Sequence, residues 1–351
     1  MKKNYPKTTG ILVFLSILVS SCAVTNELTI PVVNPAPVSI PSNIQTIGIL
    51  DRSLPSKKNT TADDIDKILS AEGKNLDKEG AHEAVTGLND ELSINNRFTA
   101  VKAIENDDIR SPGMGVYPAA LPWETVERIC AENEVDALFT LSFYDTDAVI
   151  DYQVVPVKLS GPLGIKIDAL EHHATITTLI KTGWRIYDPT NKYIIDQYAT
   201  DNKVVSKGVG INPAKAVEAV LNRKEGVLQI SNDLGHSYGM RLLPYNTRVR
   251  RIYFIKGTNN FEIAMRRART GDWDGAADLW EKEVDNTDGK IAGRACYNMA
   301  IINEINGNLE AAIDWASKAY TDYEIKEALS YIKVLKYRVQ ENEELRRQLE
   351  E

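Results

Sequence analysis

From His173 to Ile186 the chain alternates strictly: Ala174, Ile176, Thr178, Ile180, Thr182, Trp184 and Ile186 stand against His173, Thr175, Thr177, Leu179, Lys181 and Arg185. A repeat of two sends successive side chains to opposite faces of a strand, whereas a helix would spread the same residues around its axis. At roughly 3.3 Å per residue such a strand is about 46 Å long, more than twice the usual length. Asp188-Pro189-Thr190-Asn191 follows with turn chemistry, and Tyr193 to Val205 returns as the partner strand. Whatever else the chain forms, it must house a long antiparallel hairpin that can project beyond its sheet or pair with another chain.

The elements around the hairpin alternate in type. Thr46 to Leu50 and Asp136 to Phe143 are apolar runs of the kind that form buried strands. Thr61 is placed to cap a helix from Ala62, with Asp63 and Asp64 in its first turn. Ala81, Ala84, Val85, Leu88 and Leu92 make the apolar stripe of a second helix, and Phe98 to Val101 a strand. Pro122 opens a helix that carries Trp123, Val126, Ile129 and Cys130 on one face. Residues 145–170, with Pro156, Gly161, Pro162 and Gly164, read as a long connection, a common place for function or mobility. Helix resumes at Asn212-Pro213 and runs, with an interruption near Gly226, to Met240, with Val227, Ile230, Leu234 and Tyr238 inward. Val249 to Ile255 is a last strand carrying Arg250 and Arg251, which with Arg248 and Arg241 are read as a solvated edge paired with acids rather than an anion site. The pattern predicts an α/β (α+β) domain with a mixed sheet and a long β-hairpin. Leu92, Asn96-Arg97-Phe98-Thr99-Ala100-Val101, Val135-Asp136-Ala137-Leu138-Phe139 and Tyr187-Asp188-Pro189-Thr190-Asn191 resemble the CsgG-like lipoproteins and the amino-terminal domain of TolB over roughly residues 45–255. No transmembrane hairpin of the curli-channel kind is legible, so pore formation is not carried over.

From Asn260 the pattern becomes helical and repeats itself. Gly271-Asp272-Trp273-Asp274-Gly275-Ala276-Ala277 aligns with Gly307-Asn308-Leu309-Glu310-Ala311-Ala312-Ile313 at an offset of 36. The period is close to the roughly 34 residues of a tetratricopeptide repeat, which this region resembles. Ala264 and Ala300 are small where one helix meets the next, Gly271 and Gly307 sit at turns, Ala276 and Ala312 fill the crossings, and Trp273 and Leu309 pack beside them. Glu324 to Leu349 supplies a further, capping helix. The region is expected to be all-α, serving either as a strut or as a docking surface for protein or peptide.

The first residues are an address. Lys2, Lys3 and Lys7 precede a short apolar run, Ile11 to Val19, and Ser20-Ser21-Cys22 closes it. The run is a secretory signal and is too short for a stable membrane span. Leu18-Val19-Ser20-Ser21-Cys22 resembles the lipobox of bacterial lipoproteins, which implies cleavage before Cys22 and lipidation of its sulfur and new amino group. Ala23, rather than Asp, after the cysteine implies the outer membrane; with no Asp/Glu-rich run directly after Cys22, the body is expected to face the periplasm. Without residues 1–21 the chain keeps 38 basic and 49 acidic side chains, a net charge of −11. That balance argues against a nucleic-acid partner.

Signatures of catalysis are missing. His172 and His173 are neighbours on a strand and point to opposite faces; His82 and His236 lie on helices without a second histidine at metal-binding spacing. There is no Gly-x-Ser-x-Gly elbow, and Gly208-x-Gly210 lacks the rest of a phosphate loop. Cys130 and Cys296 fall on apolar helix faces in different domains, as buried thiols do. The expectations are therefore a signal peptide (1–21), a lipidated Pro-rich tether (22–44), with an edge strand within Leu28–Val33 opening the first domain as the alternative, the α/β domain (45–256) and the helical repeats (257–351). No metal or cofactor is expected. The chain looks like the repeat-containing lipoproteins of Bacteroides-type bacteria: a non-catalytic protein-binding or scaffolding component of the envelope, held to the membrane by lipid. A periplasmic enzyme with a site near the 145–170 loop, or a ring-forming homo-oligomeric subunit, are the alternatives.

Overall fold

The computed structural model describes residues 24–53, 64–95, 97–105, 109–111, 115–160, 166–220 and 223–350, with backbone alone for 64–75 and 350. The expected signal peptide, Cys22 and the Thr61 cap lie outside these residues. The chain forms an N-terminal region built on a mixed sheet and a C-terminal region of helices, an α/β plus all-α organisation. Two compact units divide it: one spans Ala36–Tyr245 with the last four residues, the other takes the described residues up to Pro35 together with Asn246–Arg347.

The first strand, β1 (Thr25–Asn34), belongs to the helical unit. The sheet of the other unit starts with β2 (Thr46–Asp51), flanked by β3 (Ala100–Ile104) and β4 (Ala137–Ser160), both parallel to it. Next come β5 (Lys166–Asp188) and β6 (Tyr193–Gly210), antiparallel, in the order β3-β2-β4-β5-β6. Alternation decides the faces. Ile47, Ile49, Phe139, Leu141, Ile180, Trp184 and Ile186 point to one side, against α1 (Asp64–Ile94) and α4 (Arg223–Met240). Leu50, Leu138 and Tyr187 point to the other, against Val126, Ile129 and Cys130 of α2 (Trp123–Asn133). Each fully buried large apolar side chain is worth roughly 1.5–3 kcal/mol, so both faces are needed to hold the sheet. The parallel register is pinned at its start by Asp136, whose carboxylate accepts from the amides of Gln45 (2.9 Å) and Thr46 (2.7 Å) and from the Thr46 hydroxyl (2.8 Å). Partial burial raises the Asp136 carboxyl, but these donors outweigh it and hold the group below its ordinary range.

Where two helices were expected between β2 and β3, α1 is one helix of 31 residues. No proline interrupts it, and a glycine inside a helix costs only about 1 kcal/mol. Gly87 has a reason to be there: a Cβ on it would lie 2.1 Å from the Asn232 carbonyl of α4, and one on Gly235 1.9 Å from the Ala84 carbonyl of α1. The two backbones cross at a distance no side chain permits. The helical region after the hairpin splits into α3 (Pro213–Glu218), capped by the Asn212 side chain, and α4.

The largest departure from expectation lies in residues 145–170, which are not a connection. β4 runs on to Ser160 and β5 begins at Lys166, paired throughout from Leu138↔Tyr187 to Ser160↔Lys166. Only residues 161–165, outside the described set, join them. The alternation is hidden because Val154-Val155-Pro156-Val157 carries apolar residues to both faces. A proline is tolerated here because, among the described residues, no strand lies beside the outer edge of β4 past Leu141.

The expected tether over 22–44 is also corrected. Thr25–Asn34 is a strand whose Leu28, Ile30 and Val32 are buried while Thr29, Pro31 and Val33 face outward. Val38, Ile40 and Ile44 enter the core of the sheet unit. β1 pairs with β7 (Tyr245–Phe254) as a separate two-stranded sheet. Val24 accepts from the Ile255 amide (2.9 Å) and Asn34 donates to Thr247 (3.3 Å), so the two strands run antiparallel. The boundary expected at 256/257 therefore falls at 245/246, after the first residue of β7. Its helices are α5 (Asn259–Arg269), α6 (Trp273–Glu281), α7 (Gly289–Ile305), α8 (Leu309–Thr321) and α9 (Lys326–Glu350). Leu28, Ile30 and Val32 share one core with Phe261, Trp280, Ile301 and Leu335.

Candidate functional site

The eight repeat positions go into packing. Ala264, Ala276, Ala300 and Ala312 have no exposed surface, Leu309 is buried, and Trp273 meets Tyr253 edge-on at 5.6 Å. Gly271 (φ 84°) and Gly307 (φ 80°) hold the left-handed turns between the helices of each pair. They build the helical unit.

That unit holds two polar features the periodicity did not reveal. Asn298, fully buried on α7, donates from Nδ2 to the Phe254 carbonyl and accepts at Oδ1 from the Phe254 amide, each at 2.7 Å. It ties β7 to the helices as one more rung of a ladder. Glu304 receives both Arg251 Nε and Nη2 (2.8 Å each), Arg338 Nη1 (2.8 Å) and the Tyr331 hydroxyl (2.6 Å). Burial pushes the Glu304 carboxyl up, but these donors outweigh it and hold it below its usual range. Arg251, read as part of a solvated edge, is thus the bidentate partner of a buried carboxylate. Arg250 does pair at the surface, with Glu27 at 3.5 Å, and Arg241 with Asp196 at 3.7 Å. Cys130 and Cys296 are free and buried, their thiols raised by burial to about 12 and about 11.

The open surface lies on the sheet. β2 accompanies β4 only from Ala137 to Leu141, so among the described residues no strand pairs with the outer edge of β4 from Ser142 to Ser160. β6 is the other margin, and among the described residues no strand pairs with its outer edge from Tyr193 to Gly210. The β5–β6 ladder stops at His172↔Gly210, and beyond it β4 and β5 continue as a bare two-stranded ribbon from Val154↔His172. Val154, Pro156 and Leu170 lie on one face of this ribbon, Val155, Val157, Leu159, Ile167 and Ala169 on the other. Leu170 is 61% exposed and Ile167 53%. A depression of ≈ 300 Å³ is lined by Pro156, Val157, Lys158, Asp168, Ala169 and Leu170. Among its described lining residues the charged ones are the cross-strand pair Lys158 and Asp168. Nearer the sheet, His172 hydrogen-bonds Tyr152 and His173 faces Glu171 at 3.2 Å. No group of three metal-ligating side chains occurs among the described residues, and no described helix is long and apolar enough to cross a membrane.

A mixed sheet unit with a projecting ribbon and a helical unit define the molecule. The chain belongs to a family described as a domain of unknown function (DUF8603), whose model matches residues 44–254. Residues 262–337 match a second domain of unknown function (DUF6340). No curated protein matches the chain. Among solved structures it is similar to the PelC dodecamer from Paraburkholderia phytofirmans, at 9% identity and a TM-score of 0.25, covering 62% of this chain and 98% of that one. It is also similar to a putative neuraminyllactose-binding hemagglutinin homolog from Helicobacter pylori, at 12% identity and a TM-score of 0.23, covering 57% and 82%. Likeness at this level carries no argument about fold or function.

Proposed function

We propose that the protein is a non-catalytic docking component of the bacterial envelope, tethered by a lipid on Cys22 to the periplasmic face of the outer membrane. The observation that supports it best is the bare ribbon: a long unpaired strand edge combined with exposed apolar side chains on both faces. Unpaired backbone donors and acceptors along β4 are complementary to an extended strand of a partner protein, and the alternate apolar residues give that strand pockets to read. An isolated two-stranded ribbon is marginal in water, so an added strand stabilises it as well. The resemblance to CsgG-like lipoproteins and to tetratricopeptide repeats points the same way.

The test is capture of envelope proteins from membranes by the full chain and by a variant with residues 154–171 replaced by a short turn. A defined partner held by the first and lost by the second supports the reading. A partner retained by the shortened variant refutes it. Self-association of the full chain, lost on shortening, would instead make the edge an interface between copies, as in a ring-forming subunit. Cys22→Ser is expected to release the protein from membranes or block its processing.

A further inference from the structure

The parallel strands run in the order β3-β2-β4, so the chain leaves β2 first to one side and then to the other. In open sheets of this kind the carboxyl ends of the two strands flanking the reversal, here β2 and β4, border a natural crevice for ligands. Arg52 stands at that place. It follows β2 directly, its amide donates to the Leu141 carbonyl of β4 (3.0 Å), and its carbonyl accepts from the Ser111 amide (2.6 Å). Alternation along β2 puts its side chain on the α2 face with Leu50, beside Thr140 and Arg185, which are cross-strand partners.

The guanidinium is only 5% exposed, and its Nε and Nη1 have no hydrogen-bond partner among the described residues. Among the described residues the ionisable groups that act on it are Tyr187, which hydrogen-bonds it, and a second buried cation, Arg185. Arg185 is itself held in place, donating to Gln197 (2.7 Å) and to the Pro118 carbonyl (2.8 Å), with Tyr117 against its plane. Asp51 is turned to the opposite face and takes the Ser53 amide at 2.8 Å. Asp145 lies farther along β4, opposite Lys181. Close by, the Ser111 hydroxyl is buried without a partner, and the buried hydroxyls of Thr140 and Ser142 bond each other at 2.9 Å. Burying a cation without its counter-charge is strongly unfavourable, and two such cations side by side are worse. The same grouping becomes favourable once an oxyanion takes the free donors, because hydrogen bonds between charged groups are the strong ones and a guanidinium suits such oxygens.

We propose that Arg52, supported by Arg185 and the neighbouring hydroxyls, forms a binding pocket for a small oxyanion, a carboxylate or a phosphate-type group, at the carboxyl ends of β2 and β4. The pocket is independent of docking along the ribbon. The experiment is thermal unfolding of the full chain in chloride, phosphate, sulfate and acetate at equal ionic strength. A saturable rise of about 5 °C or more is expected near a hundredfold excess over the dissociation constant. Which salt produces it separates phosphate-type from carboxylate ligands. Arg52→Met is expected to abolish the rise and, in chloride, to melt no lower than the parent. Arg52→Lys keeps the charge but loses the planar donors, and is expected to need about tenfold more anion. The proposal is overturned if no oxyanion outperforms chloride, if Arg52→Met keeps the rise, or if Arg52→Met melts lower or fails to fold. The last result would make the guanidinium a support of the fold.

Discussion

Two buried charges divide the molecule. In the helical unit Glu304 is fully enclosed and every donor around it is used: two guanidinium groups and a phenol converge on one carboxylate. In the sheet unit Arg52 is almost as deeply buried, yet among the described residues two of its nitrogens have no partner, its hydrogen-bonding neighbour is the neutral Tyr187, and its charged neighbour Arg185 has the same sign. A satisfied network costs little to keep and fixes one packing of the helices; an unsatisfied charge costs stability at every moment it is empty. The first is the signature of structure, the second of a site shaped for something that comes from outside.

Glu304→Ala gives the largest effect, because it strands two guanidinium groups in the core. A loss of about 3–5 kcal/mol is expected in denaturant unfolding. Titration gives the same contrast without mutation. The Glu304 carboxyl is lowered in the folded state, so its contribution is complete above the ordinary value of 4.5 and disappears as pH falls through the lowered folded value. Helical-unit stability is therefore expected to fall below about pH 4.5 in the parent and to lose this dependence in Glu304→Gln. Asn298→Ala comes next, at about 2 kcal/mol, since it leaves the Phe254 amide and carbonyl without partners. Arg52→Met reverses the sign: in oxyanion-free buffer it is expected to stabilise by about 1 kcal/mol. Trimming the ribbon at 154–171 is the smallest change, within about 0.5 kcal/mol, because those side chains are exposed to begin with. Equal losses from Glu304→Ala and Arg52→Met would erase the distinction between the two charges.

Much of the architecture is legible from periodicity. The alternation ending at Ile186 is β5, its return is β6, and the stripe from Ala81 to Leu92 is the inner face of α1, where Ala81, Ala84, Leu88 and Leu92 are buried. The outer half of β4 is not legible, because a ribbon with no core on either side has no reason to alternate. Nor is β1, since a few prolines with valines look alike in a tether and in an edge strand. Arg251 lies inside β7 and Arg52 directly follows β2, and nothing local distinguishes the one that finds Glu304 from the one that meets no carboxylate among the described residues.

Local chemistry thus determined the elements: side-chain spacing selects helix or strand, and glycine and proline punctuate them, because these preferences act over a few residues. Tertiary structure alone decided that β1 and β7 join the helices, that β4 and β5 outrun their sheet, and which buried charge is answered. Those outcomes depend on residues as far apart as Arg251 and Glu304 arriving at one point, and the free energy of a buried charge is set by what arrives there.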